Sequence, residues 1–427
     1  MRPDLLSRRK NFTVKAVGFL SAIGIFVSIF IPSYFNWSLT AIISYRVEDG
    51  WCVAKNAGIG LHCFGDFFAP LRVAFLPDPW EEGINPNPPF VMLIFAAFAK
   101  LAQFTSERFA LIFWVVSMIS ALVLPVIHSW ITSKKSQQEK LFFALIYFTS
   151  LPIIAVIDRG NIIFVTIPLL YFAFVNINRQ RYMPPILMIL AVLIKPQLII
   201  FAFLFLSLRK TKEFLTVTLV SFFATFFGFV FFVDPLISLR NWLGALISYP
   251  DYASEGRIYP VNLSLKSTLS LVDKAFETNL PSHLIEFTSL VLVAIFFISI
   301  LAKLKNFHLE NLFFQLIVLM ILSIGTSFLY YAAFLSIFFL LMLFHDFGKS
   351  IFERSFSSLC SSSLFLLVIP ISPLSWKLFP FLNEFGQATV TITWTLAQCV
   401  LVLVMLTYLS ANFRDAYIGF RRNNSRI

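Results

Sequence analysis

The chain has 427 residues, 58% of them hydrophobic and 13% charged, with a mean hydropathy of +0.83. Soluble domains carry about 25% charged residues, so the composition excludes a soluble enzyme and points to an all-α polytopic membrane protein, one membrane domain over 1–427. The net charge of +11 is spread through loops between apolar runs rather than gathered on one face, which argues against nucleic acid as a partner.

Apolar runs of a length suited to a bilayer fall near 15–34, 109–131, 141–157, 161–177, 183–194, 196–208, 214–233, 284–302, 311–325, 329–344, 357–372 and 390–410, about twelve transmembrane helices. The first has basic flanks but no small-residue cleavage site after it, so it reads as a retained helix rather than a secretory signal. A further run, 88–104, is short, contains Lys100 and opens on "NPNPPF"; it reads as a juxtamembrane helix. With that run left outside the membrane core, 21 of the 33 Lys and Arg residues fall on the side of the N-terminus and 15 of the 22 acidic residues on the other. The positive-inside rule then places both termini in the cytoplasm of a multi-pass cell-membrane protein. If 88–104 spanned, every later loop would invert and the bias would break.

Within 183–208 the stretch "ILAVLIKPQLIIFAF" holds a Lys, a Pro and a Gln among apolar residues. A lysine in mid-bilayer costs several kcal/mol (roughly 3 or more) unless paired or wet. The topology resolves this as two short helices turning at "KPQ", with Pro196 supplying the break and Lys195 near the external end. The alternative is one tilted, kinked helix, which would put a basic loop on the wrong side.

Two external segments are long enough to build a site, 35–108 and 234–283. The first carries Asp66 in "HCFGDFF", a carboxylate flanked by Gly and aromatics that suits a general base. The plain alternative is a solvated loop acid, and Asp49 in "VEDGWC" is the rival base. Arg159 and Lys195 are cations at membrane depth suited to a phosphate, by bidentate and point-charge contacts respectively. An Asp158–Arg159 surface pair is the alternative for the first. Cys52 and Cys63 are both external and form a candidate disulfide, whereas Cys360 and Cys399 lie in apolar runs and read as small core residues. The five His residues show no metal-ligand spacing, no metal or other cofactor is expected, and no phosphate-binding Gly-rich loop or Walker motif occurs.

These pieces, in this order, resemble the GT-C superfamily of membrane glycosyltransferases. Within it they are most similar to glycosyltransferase family 87, polyprenyl-phosphate-mannose-dependent α-mannosyltransferases of actinobacterial cell envelopes. The likeness rests on "GDFF" with Asp66, "NPNPPFVMLIFAAFAKL", "DRGNIIFVTIPLLYFAF", "LIKPQLIIFAFLFLSLRK" and "VNLSLKSTLSLV", and covers about residues 15–345. It implies a GT-C-like fold and inverting transfer of a sugar, mannose before arabinofuranose, from a polyprenyl-phosphate donor to a lipid or glycan acceptor at the external face. Asp66 would be the base, and Lys195 and Arg159 would hold the donor phosphate with Asn161 and Gln197 as hydrogen-bond partners. Tyr330, Tyr331 and Asn262 would contact substrate. The sequence departs from the family at a late His in "SP-x-SW-x-H". Its place is taken by "GTSFLYYAAF", and the "SPLSW" at 372–376 is followed by Lys377 and Leu378. The competing class is a lipid-linked-saccharide flippase or other secondary transporter, which predicts charges spread along a path and an internal repeat. Neither is evident.

Overall fold

A computed structural model describes residues 64–83, 85–254, 262–304, 309–324, 327, 329–345, 380–383, 386–389 and 392–424. The expected first span, the 357–372 span, Asp49, Cys52 and Cys63 lie outside the described residues. In chain order the helices are α1 (Gly65–Val73), α2 (Pro89–Phe104), α3 (Glu107–Thr132), α4 (Gln137–Thr149), α5 (Leu151–Arg159), α6 (Ile163–Asn176), α7 (Met183–Ile194), α8 (Phe203–Ser207), α9 (Thr211–Phe227), α10 (Pro235–Ser254), α11 (Leu265–Ala275), α12 (Ser282–Lys303), α13 (Leu309–Ser323), α14 (Ala333–His345) and α15 (Ile392–Asn424). A 3₁₀ run, Pro196–Ala202, joins α7 to α8, and a 3₁₀ turn, Leu329–Ala332, leads into α14. Among the described residues the architecture is helical, as expected, with one short antiparallel hairpin, β1 (Pro380–Asn383) with β2 (Gly386–Thr389).

Three described helices are long and apolar enough to cross a membrane: Glu107–Thr132, Thr211–Phe231 and Ser282–Lys303. Seven more are apolar but shorter. The short ones follow from local chemistry. The run expected over 141–157 is two helices, because Ser150 turns extended at φ −65°, ψ 136° and Pro152 starts a new helix behind it. Proline fits the first turn of a helix, where its missing N–H costs nothing. At the next break Pro196 forces Lys195 to φ −137°, ψ 96°, the extended region preferred before proline, and α7 stops there. The helix thus ends at the expected break, and a 3₁₀ run, Pro196–Ala202, follows it.

Side-chain caps fix other starts. Ser136 and Glu139 form a capping box at α4, and the Ser106 side chain accepts from the Phe109 amide at 3.2 Å at α3. The segment 234–283, expected as a loop, is mostly the helices α10 and α11.

The core is a continuous apolar cluster drawn from α1–α3, α6, α7, α13 and α14. On the outside, α3 presents Ile112, Phe113, Val116, Ile119 and Ile127 to the surroundings, and α9 presents Leu215, Leu219, Phe222 and Phe223. Apolar surface of that extent is not sustained in water and marks the faces of a membrane protein. Cys399 is exposed on α15, not buried in the core as its apolar surroundings suggested.

Candidate active site

The site is assembled around the turn between α5 and α6. Gly160 sits at φ +61°, its amide bonding Ile157 O at 3.1 Å while the Asn161 amide bonds Val156 O at 3.1 Å, a Schellman ending. A Cβ at Gly160 would stand 3.0 Å from Phe64 Cδ1 and 3.3 Å from Phe67 Cβ, so both the backbone and the space require glycine. The indole of Trp114 on α3 donates to Gly160 O at 2.9 Å and locks the turn to the bundle. Trp114 in turn stacks with Phe67, Phe95, Phe98 and Phe164 at centroid distances of 5.0–5.2 Å.

That aromatic box explains the "GDFF" pattern. Phe67 is fully buried in it, and burying it brings its neighbour Asp66, in the first turn of α1, against the α5–α6 turn. There Arg159 Nη2 donates to Asp66 Oδ1 at 2.8 Å and Asn161 Nδ2 donates to Asp66 Oδ2 at 2.6 Å. The Asn161 Oδ1 accepts from the Ile163 amide at 3.0 Å, heading α6, so one carboxamide both caps a helix and orients the acid. The Asp66 and Arg159 side chains are 21% and 19% exposed, shielded well beyond a surface ion pair. Each Asp66 oxygen uses one acceptor position on these partners, leaving a second for a ligand.

Arg159 and Asn161, expected beside a phosphate, both donate to the Asp66 carboxylate. Lys195 and Gln197 do share a cavity of about 450 Å³ with Asp66, within the range of small-molecule sites. Asn161, Tyr330 and Tyr331 line it too. The Lys195 ammonium lies 5.9 Å over the Tyr331 ring, and Gln197 Nε2 donates to the Tyr331 hydroxyl at 2.8 Å. Burial lowers the Lys195 pKa to about 8, opposed by the Asp66 carboxylate, which raises it. Asp66 and Lys195 thus face one another electrically across the cavity.

Asn262 does not line the cavity. Its side-chain oxygen accepts from the Ser264 and Ser327 amides at 3.0 and 2.8 Å, and its carbonyl accepts from Gln398 Nε2 of α15. It clasps the start of α11 to the stretch of chain that leads into Tyr330 and Tyr331.

The sequence reading missed Asn85, Asn87, Trp242 and Tyr249, which also line the cavity. Asn85 Oδ1 accepts from both nitrogens of Asn87, at 3.2 and 3.0 Å, and the Trp242 indole donates to Pro86 O at 3.3 Å. Asp78 receives Asn241 Nδ2 at 2.7 Å, and Ser248 Oγ donates to Gly83 O at 2.9 Å. Together these staple the "NPNPPF" loop to α10. The repeated Asn-Pro was the available signal, since side-chain amides there fold back onto the backbone. Among the described residues no group of three or more His, Cys, Asp or Glu stands together to hold a metal.

The model of glycosyltransferase family 87 matches residues 85–330, more than half of the chain and including Asn161, Lys195, Gln197 and Tyr330. No curated protein and no solved structure matches.

Proposed function

The chain belongs to glycosyltransferase family 87 and is a glycosyltransferase; from that premise we propose that it moves a sugar from a polyprenyl-phosphate donor to a lipid or glycan acceptor of the cell envelope, at the external membrane face. The observation that carries this reading is the pairing of an oriented carboxylate, Asp66, with a half-buried cation, Lys195, in one cavity. Those are the two groups an inverting displacement needs.

The acceptor hydroxyl oxygen attacks the anomeric carbon while its proton passes to Asp66. On the opposite face of the sugar the bond from that carbon to the phosphate oxygen breaks, and its electron pair leaves with the polyprenyl phosphate. One displacement inverts the centre. The donor phosphodiester carries one negative charge and the departing phosphomonoester gains a second, so cations at the leaving group stabilise the transition state more than the ground state. Lys195 supplies that charge.

Arg159 holds Asp66 in place through its 2.8 Å bond. A carboxylate suffices as the base because the attacking hydroxyl becomes strongly acidic only as its bond to carbon forms. Asn161 completes the alignment, which is worth rate because small misplacements of a reacting group are costly. Mannose is the first candidate for the sugar and arabinofuranose the second.

The test is donor class. The purified chain in lipid nanodiscs receives labelled polyprenyl-phosphate mannose, the arabinofuranose equivalent, or nucleotide sugars, together with a cell-envelope lipid extract as acceptor. Label moves into glycolipid from a polyprenyl-phosphate donor. Transfer only from nucleotide sugars would overturn the reading. So would passage of the lipid-linked sugar across a proteoliposome membrane with no new glycosidic bond.

A further inference from the structure

The pair of adjacent tyrosines, Tyr330 and Tyr331, stands where the family resemblance placed a histidine, and the cavity shows what one of them can do. Gln197 follows Pro196 in the 3₁₀ run, and Tyr331 lies in the 3₁₀ turn before α14. Though 134 residues apart, they meet through the 2.8 Å bond from Gln197 Nε2 to the Tyr331 oxygen. A phenolic proton prefers the plane of its ring and has two positions there. An amide donor occupying one of them sends the proton to the other. The face of the same ring carries the Lys195 ammonium at 5.9 Å, a cation–π contact that steadies a flexible side chain. Lys195, Gln197 and Tyr331 all line the cavity, and Tyr331 is only 6% exposed.

We propose that Tyr331 is a hydrogen-bond donor to the leaving phosphate, with Gln197 the positioning residue that aims its hydroxyl and the ring face the rest that holds Lys195 beside it. The two groups together present an O–H and an N⁺–H to one ligand. At neutral pH a phosphate offers acceptors almost alone, so a pair of aimed donors selects it over a sugar hydroxyl, which both donates and accepts. The bond strengthens as the phosphate gains its second charge, and no proton needs to transfer. This deepens the reading above and rests on it for the identity of the phosphate as a leaving group.

The experiment measures binding first, with farnesyl phosphate and uncharged farnesol as probes, on wild type, Tyr331→Phe, Gln197→Met and the double variant in nanodiscs. Tyr331→Phe weakens farnesyl phosphate by about tenfold; Gln197→Met weakens it less, and the double variant is no weaker than Tyr331→Phe alone, because Gln197 acts only through the hydroxyl. Farnesol binds all four alike. In transfer assays Tyr331→Phe lowers kcat more than it raises KM.

Unchanged farnesyl phosphate binding in Tyr331→Phe would overturn the proposal. Equal loss of farnesol would do so too, since that is a packing effect. Additive losses in the double variant would remove Gln197 from its positioning role. If the phosphate selectivity holds while wild type transfers no sugar from any polyprenyl-phosphate donor, the donor reading falls and the anion site stands. If wild type transfers and Tyr331→Phe matches it, the inference alone falls.

Discussion

At the scale of residues, the decisive contact is the one between Asp66 and Arg159, which joins positions 93 apart in the chain. Asp66 and Lys195 were legible in the sequence because each is a charged residue standing alone among apolar or aromatic neighbours. The partner of Arg159 was not, since nothing local distinguishes an arginine that meets a phosphate from one that meets a carboxylate. Its bond to Asp66 favours a positioning role, which variants test. Arg159→Ala leaves Asp66 held by Asn161 alone and lowers kcat by about 10²-fold, with little change in donor KM; Arg159→Lys restores part of it. A large rise in donor KM with kcat unchanged would return Arg159 to the phosphate. Lys195 gives a pH signature. With its pKa at about 8, the ammonium is charged below that value and neutral above it. The donor kcat/KM therefore falls as pH rises through 8, by about tenfold per unit. Lys195→Arg, charged throughout, loses that limb, and persistence of the limb in Lys195→Arg would assign it to another group.

At the scale of elements, the site depends on turns more than on helices. Gly160 turns the chain so that Arg159 and Asn161 flank one carboxylate. Gly160→Ala forces a left-handed backbone on an L-residue at about 1–2 kcal/mol and presses on Phe64 and Phe67. It should lower the unfolding midpoint and cut transfer together; a stable, fully active variant would contradict this account of the turn. Trp80 does similar work for the "NPNPPF" loop, fully buried with its indole donating to Asn87 O at 2.9 Å. Trp80→Ala should cost about 3–5 kcal/mol, read as loss of thermal stability in detergent, and loosen the cavity wall made by Asn85 and Asn87. The break at Lys195–Pro196 was readable because proline acts through its own and the preceding residue. The split of 141–157 at Ser150 was missed because apolar periodicity runs straight through it. The helices α10 and α11 were missed because their polar faces masked the helical pattern within a long polar segment.

At the scale of the whole molecule, composition alone fixed the membrane class, while the number and length of spans depended on packing that hydropathy does not see. Helices shorter than about 20 residues do not cross a bilayer alone, and several here lie side by side in one core. The sidedness argued from charge remains a prediction with a direct test. In a background lacking the four native cysteines, Glu82→Cys, on the loop that walls the cavity, should react with an impermeant maleimide on intact cells. Lys134→Cys, on the exposed stretch between α3 and α4, should react only after permeabilisation. The reverse pattern would invert the protein and move the site to the cytoplasmic face.

The central claim is that Asp66 takes the acceptor proton during sugar transfer. The most direct measurement is single-turnover transfer from labelled polyprenyl-phosphate sugar by wild type and Asp66→Asn, with donor binding followed in the same samples. The amide keeps the shape and cannot take the proton, so transfer should fall by about 10²–10⁴-fold while donor binding is retained. Transfer at the wild-type rate by Asp66→Asn would contradict the account and move the base elsewhere, with Asp49 next in line.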